Sequence, residues 1–376
     1  MELTATSVSQ AVNEGFHWLY TAGVEEQSRN GPVIVSPEPV LTTYTNPMYR
    51  VLFSPLRDAN PFLHLMESLW MLAGRNDLAW PAQFAKNMTK YSDDGTTLHG
   101  AYGHRWRKHF GYDQLEWIVD GLRANPDDRR QVLTMWDPGS TDEEGEPFTG
   151  TGDPFIGGHG GKDVPCNTQA YFDLRGGCLN MTVMQRSGDA LWGVYGANAV
   201  HFSILLEYMA AWLAVPVGVH RQFTNNFHVY PASLDTSRWE AAYKHYSKTD
   251  CAKEVVHQLA VDADINDYYR LNPHTHYQTK PFPLVNTNIK TWDADLKRFM
   301  SDPSQGGAAY GDEFFSTVAA PMYYAWKERK EKRGTGMSWA VQIAAEDWRR
   351  ACVEWIERRE ARKGGSQCTV DACNLK

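Results

Sequence analysis

Apolar residues recur at helical spacing in several segments of the chain. In "NPFLHLMESLWMLAG" they stand three or four positions apart, which predicts a helix that ends at the last residue, Gly74. The segment "YDQLEWIVDGLRANP" has the same period and predicts a second helix, which stops before its proline. The long apolar segment "ANAVHFSILLEYMAAWLA" predicts a third helix.

Two further segments alternate apolar and polar residues, which is the period of a β-strand. They are "NTQAYFDL" and "CLNMTVMQ", and the Gly-Gly pair between them predicts a β-hairpin. In such a hairpin the start of the first strand lies opposite the end of the second. We therefore expect Cys166 to lie close to Gln185 and Arg186.

Two regions differ from the rest in composition. After a strand predicted in "RRQVLTMWDP", residues 139–162 form a glycine-rich, acidic insertion with neither period. It predicts a mobile loop, with a lid as the alternative. From about residue 301 the chain becomes helical, aromatic and charged, which predicts a helical extension over 301–376 with a disordered end, "GGSQCTVDACNLK".

The overall composition is that of a globular protein. A chain of 376 residues with 42% hydrophobic content can bury a large core. The best apolar run, "ILLEYMAAWLAVPVGV", is interrupted by Glu207 and Pro216, so no membrane span is predicted. The amino terminus has neither a basic start nor an apolar stretch, so we expect no secretory signal and a cytoplasmic protein.

Cysteine spacing and net charge exclude several kinds of site. The six cysteines lack CxxC or Cys/His spacing, which argues against a metal site and against a disulfide framework. The net charge of -8 provides no general basic field for nucleic acid. An anionic ligand must therefore meet a local arginine cluster.

Arginines occur at two candidate sites, one of which also contains a cysteine. A thiol attacks as its thiolate, and a neighbouring cation such as Arg186 favours ionisation of Cys166. The alternative is that Cys166 is a small buried apolar residue and Arg186 a surface ion-pair partner. Arg129 and Arg130 form the second site, but adjacent strand residues face opposite sides. Both could bind one anion more easily across a symmetric dimer interface; simple solvent exposure is the alternative.

Five ordered motifs carry a family resemblance that covers about residues 25 to 300. They lie in "LHGAYGHRWR", "DQLEWIVDGLRANPDDRRQVLTMWDP", "VPCNTQAYFDLRGGCLNMTVMQRSGDALWGV" and "NNFHVY". Together they resemble the thymidylate synthase family, with weaker matches at "SRNG" and "FPLVNTNIKTWDADLKRF". The resemblance implies an α/β (α+β) fold with a mixed β-sheet packed by helices. It places the catalytic domain at 1–300, and the extension has no counterpart.

The resemblance also assigns roles to individual residues. Catalytic roles fall on Cys166, Glu67, Tyr102, Asn198 and Asp189. Substrate-binding roles fall on Arg29, Arg129, Arg130, Gln185, Arg186, Ser187, Asn198, His228 and Tyr230. It implies that Arg129 and Arg130 reach across a homodimer interface to the nucleotide phosphate, and that Asp189 lies near the folate. Each role has a structural alternative. Glu67 could face solvent, Tyr102 and Tyr230 could be core aromatic residues, and His228 could be a hydrogen-bonded strand histidine.

The implied reaction begins with addition of Cys166 to C6 of a pyrimidine nucleotide. The addition turns C5 into a nucleophile, which takes a one-carbon unit from 5,10-methylenetetrahydrofolate. Hydride transfer would then give a methyl group, and water would give a hydroxymethyl group.

Departures from the family pattern favour water, and not hydride, as the group that completes the product. The segment "FAKNMTKYSDDG" has no tryptophan where the synthases have several, so we expect less apolar cover. Asn167 stands where a synthase has histidine, "GVYGANAVHFS" is one residue longer, and helices replace the short carboxyl-terminal tail.

The predicted function is therefore a deoxyuridylate 5-hydroxymethylase, similar to enzymes of viruses that modify their DNA bases. The amide of Asn198 offers both a donor and an acceptor to uracil. The alternatives are a deoxycytidylate hydroxymethylase, a thymidylate synthase or a deoxycytidylate methylase. A catalytically inactive binding protein is a further alternative, but the presence of Cys166 with the arginines and the His/Tyr pair argues against it.

Overall fold

Two β-sheets of mixed strand direction form the framework of the protein. They are seen in a computed structural model that describes residues 1–139, 152–231, 252–270 and 280–368. The strands are β1 Glu2–Ala5, β2 Val24–Ser28, β3 Gly31–Val35, β4 Val40–Tyr44, β5 Val132–Thr134, β6 Asn167–Arg175, β7 Cys178–Gln185, β8 Gly188–Asp189, β9 Val217–Thr224 and β10 Phe227–Val229. The larger sheet has the order β1-β4-β9-β7-β6-β5 and the smaller β2-β3-β10-β8. Parallel pairs occur in both sheets, which confirms the predicted mixed architecture.

Helices pack around these sheets. The α-helices are α1 Val8–Ala22, α2 Pro61–Leu72, α3 Pro81–Phe84, α4 Tyr102–His104, α5 Gln114–Ala124, α6 Asp153–Gly158, α7 Ala199–Leu213, α8 Ala252–Ile265, α9 Ile289–Ser301, α10 Ala320–Lys330, α11 Met337–Ala340 and α12 Glu346–Cys368. Wider π-helical turns cover Arg105–His109, Ala190–Asn198 and Phe315–Ala319, and short 3-10 turns cover Lys86–Lys90 and Gly307–Ala309. No helix within the described ranges is long and apolar enough to cross a membrane.

The predicted hairpin is confirmed as β6 and β7. Gly176 and Gly177 have φ values of +61° and +77°, the left-handed region that a tight hairpin turn requires. Asn167 pairs with Gln185 at the open end, and the Arg186 N–H donates to the Cys166 carbonyl over 2.9 Å. The sequence-based expectation that Cys166 lies close to Gln185 and Arg186 is therefore confirmed.

The three predicted helices are also confirmed, as α2, α5 and α7. Helix α2 begins at Asn60, whose side chain accepts hydrogen bonds from the next N–H groups, and ends just before Gly74, where φ is +65°. It packs on α7 in one hydrophobic core. A Cβ on Gly103 would lie 2.0 Å from the Met71 carbonyl oxygen, so only glycine allows α4 and its Tyr102 this close to α2.

Part of the 139–162 insertion forms a helix, so the prediction of an irregular loop is wrong for residues 153–158. Asp153, at the start of α6, is fully buried, and its carboxylate accepts two hydrogen bonds from the buried Arg105 guanidinium at 2.7 and 2.8 Å. It also contacts His99 Nε2 and accepts from the Asp137 N–H, both at 2.8 Å. A buried two-point ion pair of this kind anchors the backbone, which composition does not reveal. Residues 140–151 lie outside the described residues.

The carboxyl-terminal region is helical, as predicted. Helices α10 and α12 pack against the earlier core, where Trp326 and Trp355 both contact the Phe62 ring of α2. Helix α12 continues to Cys368, so the prediction of a disordered end is wrong for 364–368, and residues 369–376 lie outside the described residues.

A buried carboxylate, that of Asp58, binds several arginines of α12. Asp58, in the left-handed region with φ +48°, has a fully buried side chain. Its oxygens accept hydrogen bonds from Arg358 at 3.2 Å, Arg359 at 2.7 Å and Arg362 at 3.3 Å. The preceding Arg57 donates to the Leu191 carbonyl over 2.7 Å. Asp58, which binds the extension, therefore directly follows Arg57, which binds the π-helical segment Ala190–Asn198.

We predict that Asp58→Asn lowers the free energy of unfolding by about 2–4 kcal/mol in urea denaturation. The substitution removes the negative charge that three guanidinium groups share. Their partial exposure keeps the loss at or below the about 3–5 kcal/mol of fully buried pairs. Asparagine tolerates the positive φ, so the backbone is not strained. Asp120→Asn, in an exposed pair with Arg123 at 3.7 Å, is the matched control and should change stability by less than about 0.5 kcal/mol. Equal effects of the two variants would contradict the attachment role.

Candidate active site

Cys166 lies in a cleft of about 880 Å³, a volume typical of small-molecule sites. The side chains lining the cleft include Arg29, Asn30, Tyr91, Trp136, Lys162, Cys166, Arg186, Ser187, Asp189, Trp192, Asn226, His228 and Tyr230. No group of three His, Cys, Asp or Glu residues in the described part of the chain is arranged to hold a metal ion. The cleft combines one nucleophile with several cations and aromatic rings.

Arg186 is tied to the segment that carries the nucleophile. Its Nε donates to the Pro165 carbonyl over 2.8 Å and one terminal nitrogen to the Val164 carbonyl over 3.1 Å. The same nitrogen lies 3.9 Å from the Cys166 Sγ, and the guanidinium lies over the Trp136 ring at 5.8 Å. These contacts place a fixed positive charge beside the thiol.

The pKa of the Cys166 thiol is nevertheless raised. Burial is the largest cause, and Asp163 and Asp189 act in the same direction, while Arg186 and Arg29 lower the pKa. The charge of Arg186 therefore acts on the pKa in the predicted direction, and burial of the sulfur acts against it.

Tyr102 holds the backbone on both sides of the nucleophile. Its hydroxyl oxygen accepts hydrogen bonds from the Cys166 and Asn167 N–H groups, each at 3.1 Å. Burial, and next the charge of a Cys166 thiolate, raise the pKa of Tyr102 well above its usual value. The phenol stays protonated, and its own hydrogen is not used by these two bonds.

Glu67 lies on the buried side of α2. Its side chain is 13% exposed, and Oε2 lies 3.4 Å from His201 Nε2 on α7. The alternative that Glu67 faces solvent is wrong.

Asn198 occupies the end of the π-helical segment that contains the predicted extra residue. The segment contains a non-helical residue, Gly196, at φ −100° and ψ −107°. The Asn198 side chain is buried, and its Nδ2 would lie 3.5 Å from a Cβ placed on Gly193. Within the described residues Asn198 is not among those that line the cleft.

The predicted phosphate-binding residues divide into two groups. Arg29, Arg186 and Ser187 line the cleft together. Gln185 is buried behind it, where its Oε1 accepts from Thr224 Oγ1 over 3.0 Å and from Gln222 Nε2 over 3.2 Å.

Arg129 and Arg130 are both exposed and do not line the described cleft. The Arg130 Nε donates to Asp128 over 2.9 Å. A single chain therefore does not bring the tandem arginines to Cys166.

The smaller sheet brings the remaining predicted residues to the cleft. Asp189 in β8 pairs with His228 in β10, and Arg29 lies in the turn between β2 and β3. The His228 Nδ1 lies 2.8 Å from Asn226 Oδ1 and 3.1 Å from its carbonyl oxygen, which leaves Nε2 to accept a hydrogen bond. The Tyr230 ring lies edge-on to His228 at 5.1 Å.

The Asp189 carboxylate caps the π-helical segment, accepting from the Leu191 N–H over 2.7 Å and the Trp192 N–H over 3.1 Å. Burial raises the pKa of Asp189, whereas these backbone hydrogen bonds and the nearby His228 lower it.

The sequence motifs missed the aromatic wall of the cleft. Trp136 follows strand β5, and Trp192 lies three residues after Asp189 with 51% of its surface exposed. The segment "FAKNMTKYSDDG" contributes Tyr91. Tryptophans from other elements therefore line the cleft in addition to this segment. The alternation in "LTMWDP" and the position of Trp192 beside the phosphate motif were the available signals.

Comparisons with known proteins identify the family of the chain. The family model described as Thymidylate synthase matches residues 56–280. A deoxyuridylate hydroxymethyltransferase of Pseudomonas phage M6 is 44% identical over 370 residues, covering 94% of this chain and 93% of the relative. Proteins of the same description from Bacillus phage SP01 and Delftia phage PhiW-14 are 37% and 31% identical, covering 70% and 62% of this chain and 68% and 63% of their own.

The fold and these matches show that the chain belongs to the thymidylate synthase family. Its enzyme class is accordingly a transferase of one-carbon groups. The resemblance stated from the motifs alone is confirmed.

We predict that Arg186→Gln raises the pKa of the Cys166 thiol further. Loss of the adjacent cation disfavours the thiolate, so alkylation of Cys166 by iodoacetamide at neutral pH should slow about threefold to tenfold. Mass spectrometry of the Cys166 peptide across pH measures the shift. Arg175→Gln, at the exposed far end of the hairpin, is the control and should leave the profile unchanged. Unchanged or faster alkylation in Arg186→Gln would overturn the electrostatic assignment.

Proposed function

We propose that the protein is a folate-dependent deoxyuridylate 5-hydroxymethyltransferase. The observation that carries this proposal is the near-full-length similarity to the Pseudomonas phage M6 enzyme, which covers 94% of this chain. That coverage extends beyond the region matched by the family model, residues 56–280, into the helical extension. The similarity therefore includes regions in which this chain departs from the synthase pattern.

The cleft supports binding of a pyrimidine nucleotide. Arg29, Arg186 and Ser187 supply two cations and a hydroxyl for the 5'-phosphate, and they share the cleft with Cys166. His228 Nε2 and the Tyr230 hydroxyl would contact the sugar hydroxyl. Asn198 would recognise the uracil edge, which requires its buried amide to become accessible when the nucleotide binds.

Cys166 would begin the reaction by adding to C6 of the base. Its raised pKa means that the thiol proton must leave as the carbon–sulfur bond forms, so the enzyme keeps little free thiolate before substrate binds. Tyr102 keeps the backbone of the nucleophile in place through its two N–H contacts. Glu67 and Tyr102 would then take part in the transfer of the proton that leaves C5.

The cleft residues also fit a pterin. The exposed Trp192 ring and the nearby Trp136 provide stacking surfaces for a flat heteroaromatic ring, and the Asp189 carboxyl can hydrogen-bond to ring N–H groups. When bound, 5,10-methylenetetrahydrofolate supplies a one-carbon unit at the oxidation level of formaldehyde. Polar residues such as Lys162 and Asn226 in the same cleft support access of the water that completes a hydroxymethyl group.

The similar phage enzymes further suggest that the protein acts in the cytoplasm of a bacterial host. The net charge of -8 does not favour nucleic acid as a substrate, so the proposed substrate is the free nucleotide.

We predict that the protein converts deoxyuridylate into its 5-hydroxymethyl derivative with release of tetrahydrofolate. Because water completes the product, no dihydrofolate forms, and the absorbance rise used in synthase assays should be absent. Mass spectrometry identifies the nucleotide, and kcat/KM should be higher for deoxyuridylate than for deoxycytidylate. Cys166→Ser is the control and should bind nucleotide but lose turnover. Stoichiometric dihydrofolate with thymidylate, or a preference for deoxycytidylate, would refute the corresponding part of the proposal.

We also propose a homodimer in which Arg129 and Arg130 reach the phosphate in the neighbouring cleft. Their exposure, and their absence from the residues that line the same chain's cleft, support this arrangement. Mixing Cys166→Ser with Arg130→Ala should restore about a quarter of wild-type activity, because half of the randomly mixed dimers carry one intact site. Mixing Cys166→Ser with Arg186→Gln is the control and should restore none, because both residues belong to one chain's site. Absence of recovery in verified mixed dimers would contradict the shared site.

A further inference from the structure

His201 is a buried titratable residue that the roles assigned above do not use. It lies on α7, is 5% exposed, and its Nε2 is 3.4 Å from Glu67 Oε2. The two atoms are not aligned for a hydrogen bond, and Nε2 has no other partner in the described residues. A buried polar nitrogen of this kind requires an explanation, and catalytic contacts are often long in a free enzyme and shorten when substrate binds.

The surroundings of this pair are rich in cationic and imidazole groups. His64 lies on α2 close to His201, and its pKa is lowered first by burial and then by Arg57 and His201. Arg57 also contacts the π-helical segment through the Leu191 carbonyl. Among the charged and titratable groups that these interactions place around His201, Glu67 is the acid. Glu67 is thus the acidic residue that the His201 N–H can bind.

Neighbouring residues link the pair to the segment that carries the nucleophile. Asn198 precedes His201 by one helical turn, and the next residue, Phe202, has its ring 6.0 Å from the Tyr102 ring. The Tyr102 hydroxyl in turn binds the N–H of Cys166. His201 is therefore linked to Asn198 through helix α7 and to the Cys166 backbone through Phe202 and Tyr102.

We propose that His201 is a positioning residue that holds Glu67 for capture of the water molecule. Its Nε2–H donates to Glu67 Oε2, which leaves Oε1 to accept a proton from water. This role rests on the proposed hydroxymethyltransferase function, because a methyl-forming enzyme needs no activated water at that step.

The bonds in the capture step balance. The water oxygen bonds to the exocyclic methylene carbon on C5 of the base, and the water proton moves to Glu67 Oε1. The electron pair of the exocyclic double bond moves onto C5 and the C4 oxygen. It then forms the C5–C6 double bond as the C6–S bond breaks and Cys166 leaves as thiolate. No oxidant or reductant is consumed.

The test compares His201→Leu and His201→Gln with the wild-type enzyme. For each protein we would measure hydroxymethyl product formation, tritium release from 5-tritiated deoxyuridylate, and the covalent adduct with 5-fluorodeoxyuridylate and methylenetetrahydrofolate. His201→Leu should lower kcat for product about tenfold to a hundredfold, with KM for deoxyuridylate within about twofold. Within a single turnover, tritium release and adduct formation should fall much less, because they precede water capture. His201→Gln keeps an N–H donor and should recover part of the loss.

Ser203→Ala is the matched control, because Ser203 is buried on the same helix and its hydroxyl donates only to the Val200 carbonyl. Its kcat should equal that of the wild type. An unchanged kcat in His201→Leu, or equal losses of product, tritium release and adduct, would overturn the positioning role. If His201→Leu does not fold, His201→Gln alone decides by the same ratio of product to tritium release. Product analysis of the wild-type enzyme tests the proposed function separately, since thymidylate would refute that function whatever the variants do.

Discussion

The register of the β6–β7 hairpin sets the geometry on which the site depends. Because Asn167 pairs with Gln185, the N–H of Arg186 meets the carbonyl of Cys166, and the guanidinium returns to the two preceding carbonyls. A slip of one residue would reverse the faces of the strand and separate the thiol from the cation. The buried alternation of β7 against β6 and β9 opposes such a slip, so the hydrophobic core maintains the distance between nucleophile and anion site.

Burial and charge act against each other at Cys166. Arg186 and Arg29 favour the thiolate, but removal of the sulfur from water has the larger effect, and the pKa is raised. A protonated thiol is less prone to oxidation and to reaction with other electrophiles. The two arginines thus offset only part of the effect that burial has on the pKa of the thiol.

The helical extension is part of the core and not a separate attachment. Trp326 and Trp355 pack on α2, and Asp58 binds the arginines of α12. Helix α2 also carries Glu67, and Arg57 contacts the segment that ends at Asn198. The elements that hold the extension are thus the same elements that position the proposed proton-transfer and base-recognition residues.

Local signals in the sequence determined the hairpin, the helices α2, α5 and α7, and the proximity of Cys166 to Arg186, because these depend on the period of apolar residues and on glycine turns. Ordered motifs also determined the family, and seven of the residues assigned from them line the cleft. Only the tertiary structure revealed that Asp153 anchors the insertion to Arg105, that Trp136 and Trp192 form the aromatic wall, and that Gln185 supports the sheet behind the site. It also decided the pairing of Glu67 with His201 and the raised pKa of Cys166. These features depend on burial and on contacts between residues far apart in the chain, and neither quantity is encoded in the spacing of a single segment.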